Sequence, residues 1–110
     1  MDDLANKTLL YDFYGVMLTE RQREVFEDYY LNDLSLGEIA EQLAISRAAV
    51  HDNLRRSEKA LKKIDAKLHL INRYLDNKKV INEILQITYD KDEDALLKIR
   101  SLMTHFIETL

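Results

Sequence analysis

An all-α fold of five to six helices is the architecture this sequence predicts, and three observations predict it. The chain has no proline, so no helix interior loses an N–H or meets a ring clash. It has only two glycines, too few for the tight primed turns that reverse strands. Its apolar residues recur at helical spacing between short polar breaks. The 110 residues, 46% hydrophobic and 33% charged, suit a single domain over 1–110. A chain of that length buries about two-thirds of the surface it exposes when unfolded, and its apolar content is too high for disorder.

Each element has its own signature. Asp2 or Asp3 caps a first helix carrying Leu4, Leu10, Tyr11 and Tyr14, and Gly15 follows it where a left-handed residue is favoured. Thr19 opens a second helix, with Gln22 completing a capping box. Val25, Phe26, Tyr29 and Tyr30 form its apolar stripe, and Asn32-Asp33-Leu34 ends it. Ser35 and Glu38 make a second capping box for a short third helix with Ile39, Ala40 and Leu43 on its inner face. Ala44-Ile45 turns the chain, and Ser46 caps a fourth helix that meets no stop signal from Arg47 to near Asp76.

That fourth helix carries Val50, Leu54, Leu61, Ile64, Leu68, Ile71 and Leu75, with Ser57 in the one gap. Alternating steps of four and three give its stripe a 3.5-residue period, as in a coiled-coil seam. Asp76-Asn77 is the expected break. A fifth helix carries Val80, Ile81, Ile84, Leu85 and Ile87. Asp90 is the expected cap of a sixth, with Asp92, Glu93 and Asp94 in its first turn, favourable against the helix dipole. Ala95, Leu96, Ile99, Leu102, Met103, Phe106 and Leu110 form the buried face expected of it. The portions are therefore 18–61, 47–76 and 77–110, the last packed on the long helix. The seam reads mainly as a four-helix-like core shared with the fifth and sixth helices. A helix of roughly 45 Å projects beyond a small domain, so the seam also suggests continuation across a homodimer interface, with purely intrachain packing as the other reading.

Charge narrows the function. The net charge of −4 divides unevenly: residues 1–46 are net −7, residues 47–79 net +6 and residues 80–110 net −3. A polyanion would sit on the basic middle third. With no cysteine there are no disulfides, thiolate metal sites or thiol nucleophiles, as in a reducing compartment. The start, Met1-Asp2-Asp3-Leu4, lacks the basic and apolar regions of a secretory signal, and no apolar run reaches a membrane span. A soluble cytoplasmic protein without membrane insertion is expected. His51, His69 and His105 match no metal-ligand spacing, and two glycines build no phosphate-cradling loop. No enzyme, metal or cofactor is expected. The Tyr and Phe cluster (Tyr11, Phe13, Tyr14, Phe26, Tyr29, Tyr30) reads as core packing.

Residues 18–61 carry the function. A helix-turn-helix needs a short second helix, a tight turn and a third helix free to enter the major groove. Ile39, Ala40 and Leu43 pack the short helix, small Ala40 permits close approach, Ile45 fills the turn, and Val50 and Leu54 anchor the recognition helix. With Leu18-Thr19, Gln22-Arg23, Val25-Phe26, Ser35, Glu38, Ser46, Arg56 and Leu61, this segment resembles region four of bacterial sigma factors. The whole chain is similar to the small YlxM-like proteins of Gram-positive bacteria. That likeness rests on the Leu-Tyr-Asp-Phe-Tyr-Gly run at 10–15, the recognition segment 45–52 and the long helix after it. The resemblance implies a DNA-binding regulator and a link to the signal recognition particle pathway, since such proteins are typically encoded beside the particle's GTPase subunit.

With Val50 and Leu54 inward, the opposite face of the recognition helix holds Arg47, Ala48, His51, Asp52, Arg55 and Lys59. Arg47, His51 and Arg55 are the candidates for DNA bases or RNA edges, since arginine pairs bidentately with guanine or phosphate. Arg56, Lys59, Lys62 and Lys63 are candidates for backbone phosphates, which position the protein without reading sequence. Ala48 and Ala49 offer little to a base, Asp52 repels phosphate, and the first two helices of the motif are acidic. A second reading is therefore a protein-binding adaptor that engages the particle's GTPase without binding DNA.

Overall fold

The computed structural model describes residues 3–89 and 92–108. The protein is all-α: α1 (Asp3–Tyr14), α2 (Glu20–Phe26), α3 (Leu36–Leu43), α4 (Arg47–Leu68), α5 (Leu70–Ile87) and α6 (Glu93–Glu108). A 3₁₀ turn, Gly15–Met17, follows α1, and a π turn, Glu27–Leu31, extends α2. Contacts divide the chain into two units, 1–71 and 72–110, with α5 running from the first into the second.

In the first unit, α1, α2 and α3 pack against α4. Val25, Phe26, Ile39, Val50 and Leu61 are fully buried, each contributing about 1.5–3 kcal/mol through its removal from water. Both expected capping boxes form. Thr19 Oγ1 accepts from Gln22 N–H at 3.2 Å while Gln22 Oε1 accepts from Thr19 N–H at 3.0 Å. Ser35 and Glu38 do the same, both at 3.0 Å. Ser57, the polar gap in the α4 stripe, is buried and donates to the Asn53 carbonyl at 3.0 Å.

Gly15 departs from expectation. It lies inside the 3₁₀ turn and its φ is not positive. What it supplies is space: a Cβ there would come within 2.9 Å of the Tyr11 ring, which stacks on Phe26 at 4.7 Å. Among the described residues Asp33, Ala44 and His69 take positive φ. For such residues that conformation costs roughly 1–2 kcal/mol, so the surrounding contacts must enforce it.

His69 marks the largest correction. The helix expected to run from Arg47 to Asp76 ends at Leu68, and Asp76-Asn77, expected to break it, lies within α5. Neither proline nor glycine is responsible. Tyr14, buried on α1, donates its hydroxyl to Asp65 Oδ1 at 2.5 Å and accepts the Leu70 N–H at 3.2 Å. Asp65 Oδ1 also receives the Ile71 N–H at 3.4 Å. These groups occupy the orphan donors of a new helix start, so the bond from α1 makes the break where sequence periodicity predicts continuity. The 3.5-residue seam fails at the same place, since Leu68 is exposed.

A second polar network joins α1 to α4. Lys7 Nζ pairs with Glu58 Oε1 at 3.0 Å and donates to the Tyr30 hydroxyl at 2.9 Å, and that hydroxyl donates to Glu58. Burial, then the bond to Glu58, pushes the Tyr30 hydroxyl up to about 12 from 10.0. Burial works against the Lys7 ammonium, but its bonds to Tyr30 and Glu58 prevail and hold it above its ordinary value. An acid whose folded pKa is raised keeps its stabilising contribution below the unfolded pKa and loses it as pH climbs through the folded one. Stability should therefore hold to about pH 10 and fall from there to about pH 12. Melting curves across this window should show a steeper loss for the wild type than for Tyr30→Phe; equal slopes would refute the assignment.

In the second unit, Asp92 caps α6, its Oδ1 accepting the Ala95 N–H at 2.7 Å. The sequence places Asp92 inside the first turn instead, and Asp90, the expected cap, lies outside the described residues. Ala95 is buried and Ile99, Leu102 and Phe106 half-buried, but Leu96 and Met103, expected to be covered, are exposed. Leu110 lies outside the described residues.

Candidate nucleic-acid interface

The candidate interface begins at the turn between α3 and α4. Left-handed Ala44 ends α3, and Ile45 N–H returns to the Ala40 carbonyl at 3.1 Å. The close reversal needs a small residue on the inner side, and Ala40 is buried there. Ile45 is half-buried. Ser46 Oγ then accepts the Ala49 N–H at 3.0 Å, capping α4. Val50, Leu54, Ser57 and Leu61 bury the inner stripe of α4, which leaves its opposite face to solvent.

Every candidate residue lies on that exposed side: Arg47, His51, Arg55, Arg56, Lys59, Lys62 and Lys63 are all exposed. Helical spacing sorts them into two rows. Arg47, His51 and Arg55 stand one turn apart along one edge, with Lys62 continuing it. Arg56, Lys59 and Lys63 form the second row. The first row borders a concavity of about 300 Å³ whose walls include Tyr29, Tyr30, Leu36, His51 and Arg55, so that edge lies beside the π turn.

Asp52 sits between the rows and is paired. Its Oδ1 receives Arg55 Nη2 at 3.1 Å and its Oδ2 receives Arg56 Nε at 2.8 Å. The hydrogen bond from Arg55, then the charge of Arg56, holds its carboxyl below the usual range. The sequence reading gives Asp52 as a repulsive charge and misses this double pairing. The signal was there in the spacing, because residues three and four apart share a helix face.

The opposite electrostatics prevail on α2 and the π turn. Glu20, Glu24, Glu27 and Asp28, with Arg23, Leu31 and Asn32, line an open groove of about 630 Å³. Among the described residues no group of three or more His, Cys, Asp or Glu could hold a metal ion, and no helix is long and apolar enough to cross a membrane.

The chain is similar to known proteins over most of its length. Residues 1–100 match the family model UPF0122, described as "Putative helix-turn-helix protein, YlxM / p13 like". A UPF0122 protein of Thermoanaerobacter sp. (strain X514) is 45% identical over 113 residues, covering 99% of this chain and 97% of the relative. A second, from Caldanaerobacter subterraneus subsp. tengcongensis, is 53% identical over 83 residues, covering 76% and 71%. The UPF0122 protein YofM of Lactococcus lactis subsp. lactis is 39% identical over 93 residues, covering 84% and 83%.

Proposed function

The chain belongs to the UPF0122 family of YlxM/p13-like helix-turn-helix proteins, and we propose that it is a cytoplasmic, non-catalytic DNA-binding regulator that works as a homodimer. What supports this reading most is the exposed double row of cations on a helix capped and anchored as a recognition helix. Arg47, His51 and Arg55 read base edges, while Arg56, Lys59, Lys62 and Lys63 hold phosphates. The resemblance of residues 18–61 to sigma region four supports major-groove entry by α4. The likeness to YlxM-like proteins supports a role in the signal recognition particle pathway. RNA is the alternative nucleic acid for the same edge.

The test is fluorescence anisotropy with a labelled duplex, titrated from ~50 mM salt upward. Binding at ~50 mM that weakens linearly in log salt is the expected result; no binding there would sink the reading.

Asp52 tunes that binding. Paired with Arg55 and Arg56, it competes with phosphate for their N–H donors. Exposed pairs are individually weak, but the carboxylate also repels DNA. Asp52→Asn should tighten binding to a generic duplex about 3- to 10-fold and steepen the salt slope by about one contact. An unchanged slope would remove Asp52 from the interface.

The acidic groove favours a second reading, in which that face docks a basic surface of a protein such as the particle's GTPase. Under it, wild type and an Arg47→Glu/Arg55→Glu variant would retain the GTPase equally in a pull-down, and neither would bind duplex.

A further inference from the structure

We propose that the concavity of about 300 Å³ between the π turn and α4 is a site for one unpaired nucleotide, with the base against Tyr29, the base edge on Glu58 and the phosphate on Arg55 and His51. The inference shares Arg55 and His51 with the functional reading and goes beyond it by adding a ligand that duplex readout does not use. The walls come from α1, the π turn, α3 and α4, all within the first unit. The volume is at the small end of ligand sites, which suits a single base with its sugar.

The carboxylate of Glu58 defines one end. Both of its protein bonds, from Lys7 and from the Tyr30 hydroxyl, fall on Oε1. Oε2 accepts no bond among the described residues, and the side chain is half-buried. A carboxylate only accepts, so the ligand must present a donor there. Tyr29 defines a wall. It is half-buried and edge-on to Tyr30, with ring centroids 4.9 Å apart at 89°. No other ring meets it among the described residues, which leaves a face for a planar ligand to stack on. Leu36 and Leu54 add apolar surface.

Charge defines the other end. Lys7 and Glu58 neutralise one another, so Arg55 leaves the concavity with an excess positive charge. Arg55 gives one N–H group to Asp52 and keeps its others. Glu58, Arg55 and His51 are three and four residues apart, so they share a face of α4. They span about 10 Å of helix, which one nucleotide covers from base edge to 5′ phosphate. A bare anion would leave Glu58 and Tyr29 unused, and an apolar ligand would leave Arg55 unused. Guanine suits Glu58 best, because its N1–H and N2–H donors are adjacent. The single ring N–H of uracil or thymine lies between two carbonyls, which the carboxylate repels.

The same chemistry has two sources, a free nucleotide or an unpaired residue of a strand, and two titrations of the full chain separate them. In calorimetry, guanosine monophosphate should bind at least about 10-fold more tightly than uridine monophosphate or ribose 5-phosphate, the loss expected for one charged hydrogen bond or one stacked base. That result assigns a free nucleotide. In anisotropy, a duplex with one unpaired deoxyguanosine is compared with the same duplex bearing an unpaired thymidine and with the fully paired one. A preference of about 10-fold for deoxyguanosine, without free-nucleotide binding, assigns a strand; this arm rests on the nucleic-acid reading. No discrimination in either series would overturn the proposal. Tyr29→Ala, checked for helicity by circular dichroism, should lose about 10-fold in the series that discriminates, and Tyr29→Phe should keep it; a folded Tyr29→Ala that binds as wild type would also overturn the site. Duplex binding with no discrimination in either series would refute this site and leave the DNA reading standing. Selective binding of guanosine monophosphate without duplex binding would do the reverse.

Discussion

Arg47→Glu/Arg55→Glu should lower affinity for a duplex at ~50 mM salt by at least about 100-fold. Each arginine contributes about 1–3 kcal/mol when it pairs with a base edge, and each reversal also places a carboxylate against phosphate. Both side chains are exposed, so the fold should be retained and thermal unfolding should match wild type within about 4 °C, the shift expected of a surface change of about 0.5 kcal/mol. The existing Arg55–Asp52 pair makes the Arg55 share the smaller one, because part of its charge is already engaged. Single alanine variants separate the two roles. Arg47→Ala should weaken a preferred sequence more than a random one, whereas Lys59→Ala should weaken both alike and reduce the salt slope by about one. Anisotropy titrations read all of these, and full binding by the double glutamate variant would remove α4 from the interface.

Asp65→Ala should lower stability by about 2–3 kcal/mol. The substitution removes the acceptor for the Ile71 N–H and leaves the hydroxyl of buried Tyr14 without its carboxylate partner. Losing a helix cap costs about 1 kcal/mol, and stranding a buried hydroxyl costs about 1–3 kcal/mol. Tyr14→Phe keeps the ring and loses only the hydroxyl, so it should cost less, about 1–2 kcal/mol. Urea midpoints at pH 7 give both values, and a cost below about 0.5 kcal/mol for Asp65→Ala would show that the α4–α5 break does not depend on this bond. Removing the bond should also favour a continuous helix through His69, because periodicity there already supports one. A rise in helical circular dichroism on native Tyr14→Phe would register it.

Much of the helix-turn-helix half was legible because its determinants are local. Thr19 with Gln22 and Ser35 with Glu38 are three residues apart, so the caps depend on neither fold nor partner. Val50, Leu54 and Leu61 announce the inner face of α4 by spacing alone, and the exposed positions of Arg47 through Lys63 follow from the same periodicity. Ala44 was legible as a turn but not as a left-handed residue, since its composition lacks the usual glycine or asparagine signal.

The contacts that escaped the sequence join residues far apart in the chain. Gly15 is small for the sake of the Tyr11 ring packed on Phe26, and no helix-ending rule reports a ring that close. The end of α4 at Leu68 depends on Tyr14 reaching Asp65 and Leu70. Helical character, capping and the outward face of α4 are thus written in neighbouring residues, because backbone hydrogen bonds and side-chain periodicity act within a turn or two. Where one helix stops and the next begins is settled by tertiary contact, because a buried tyrosine hydroxyl must find a partner and here takes the groups around His69 with it.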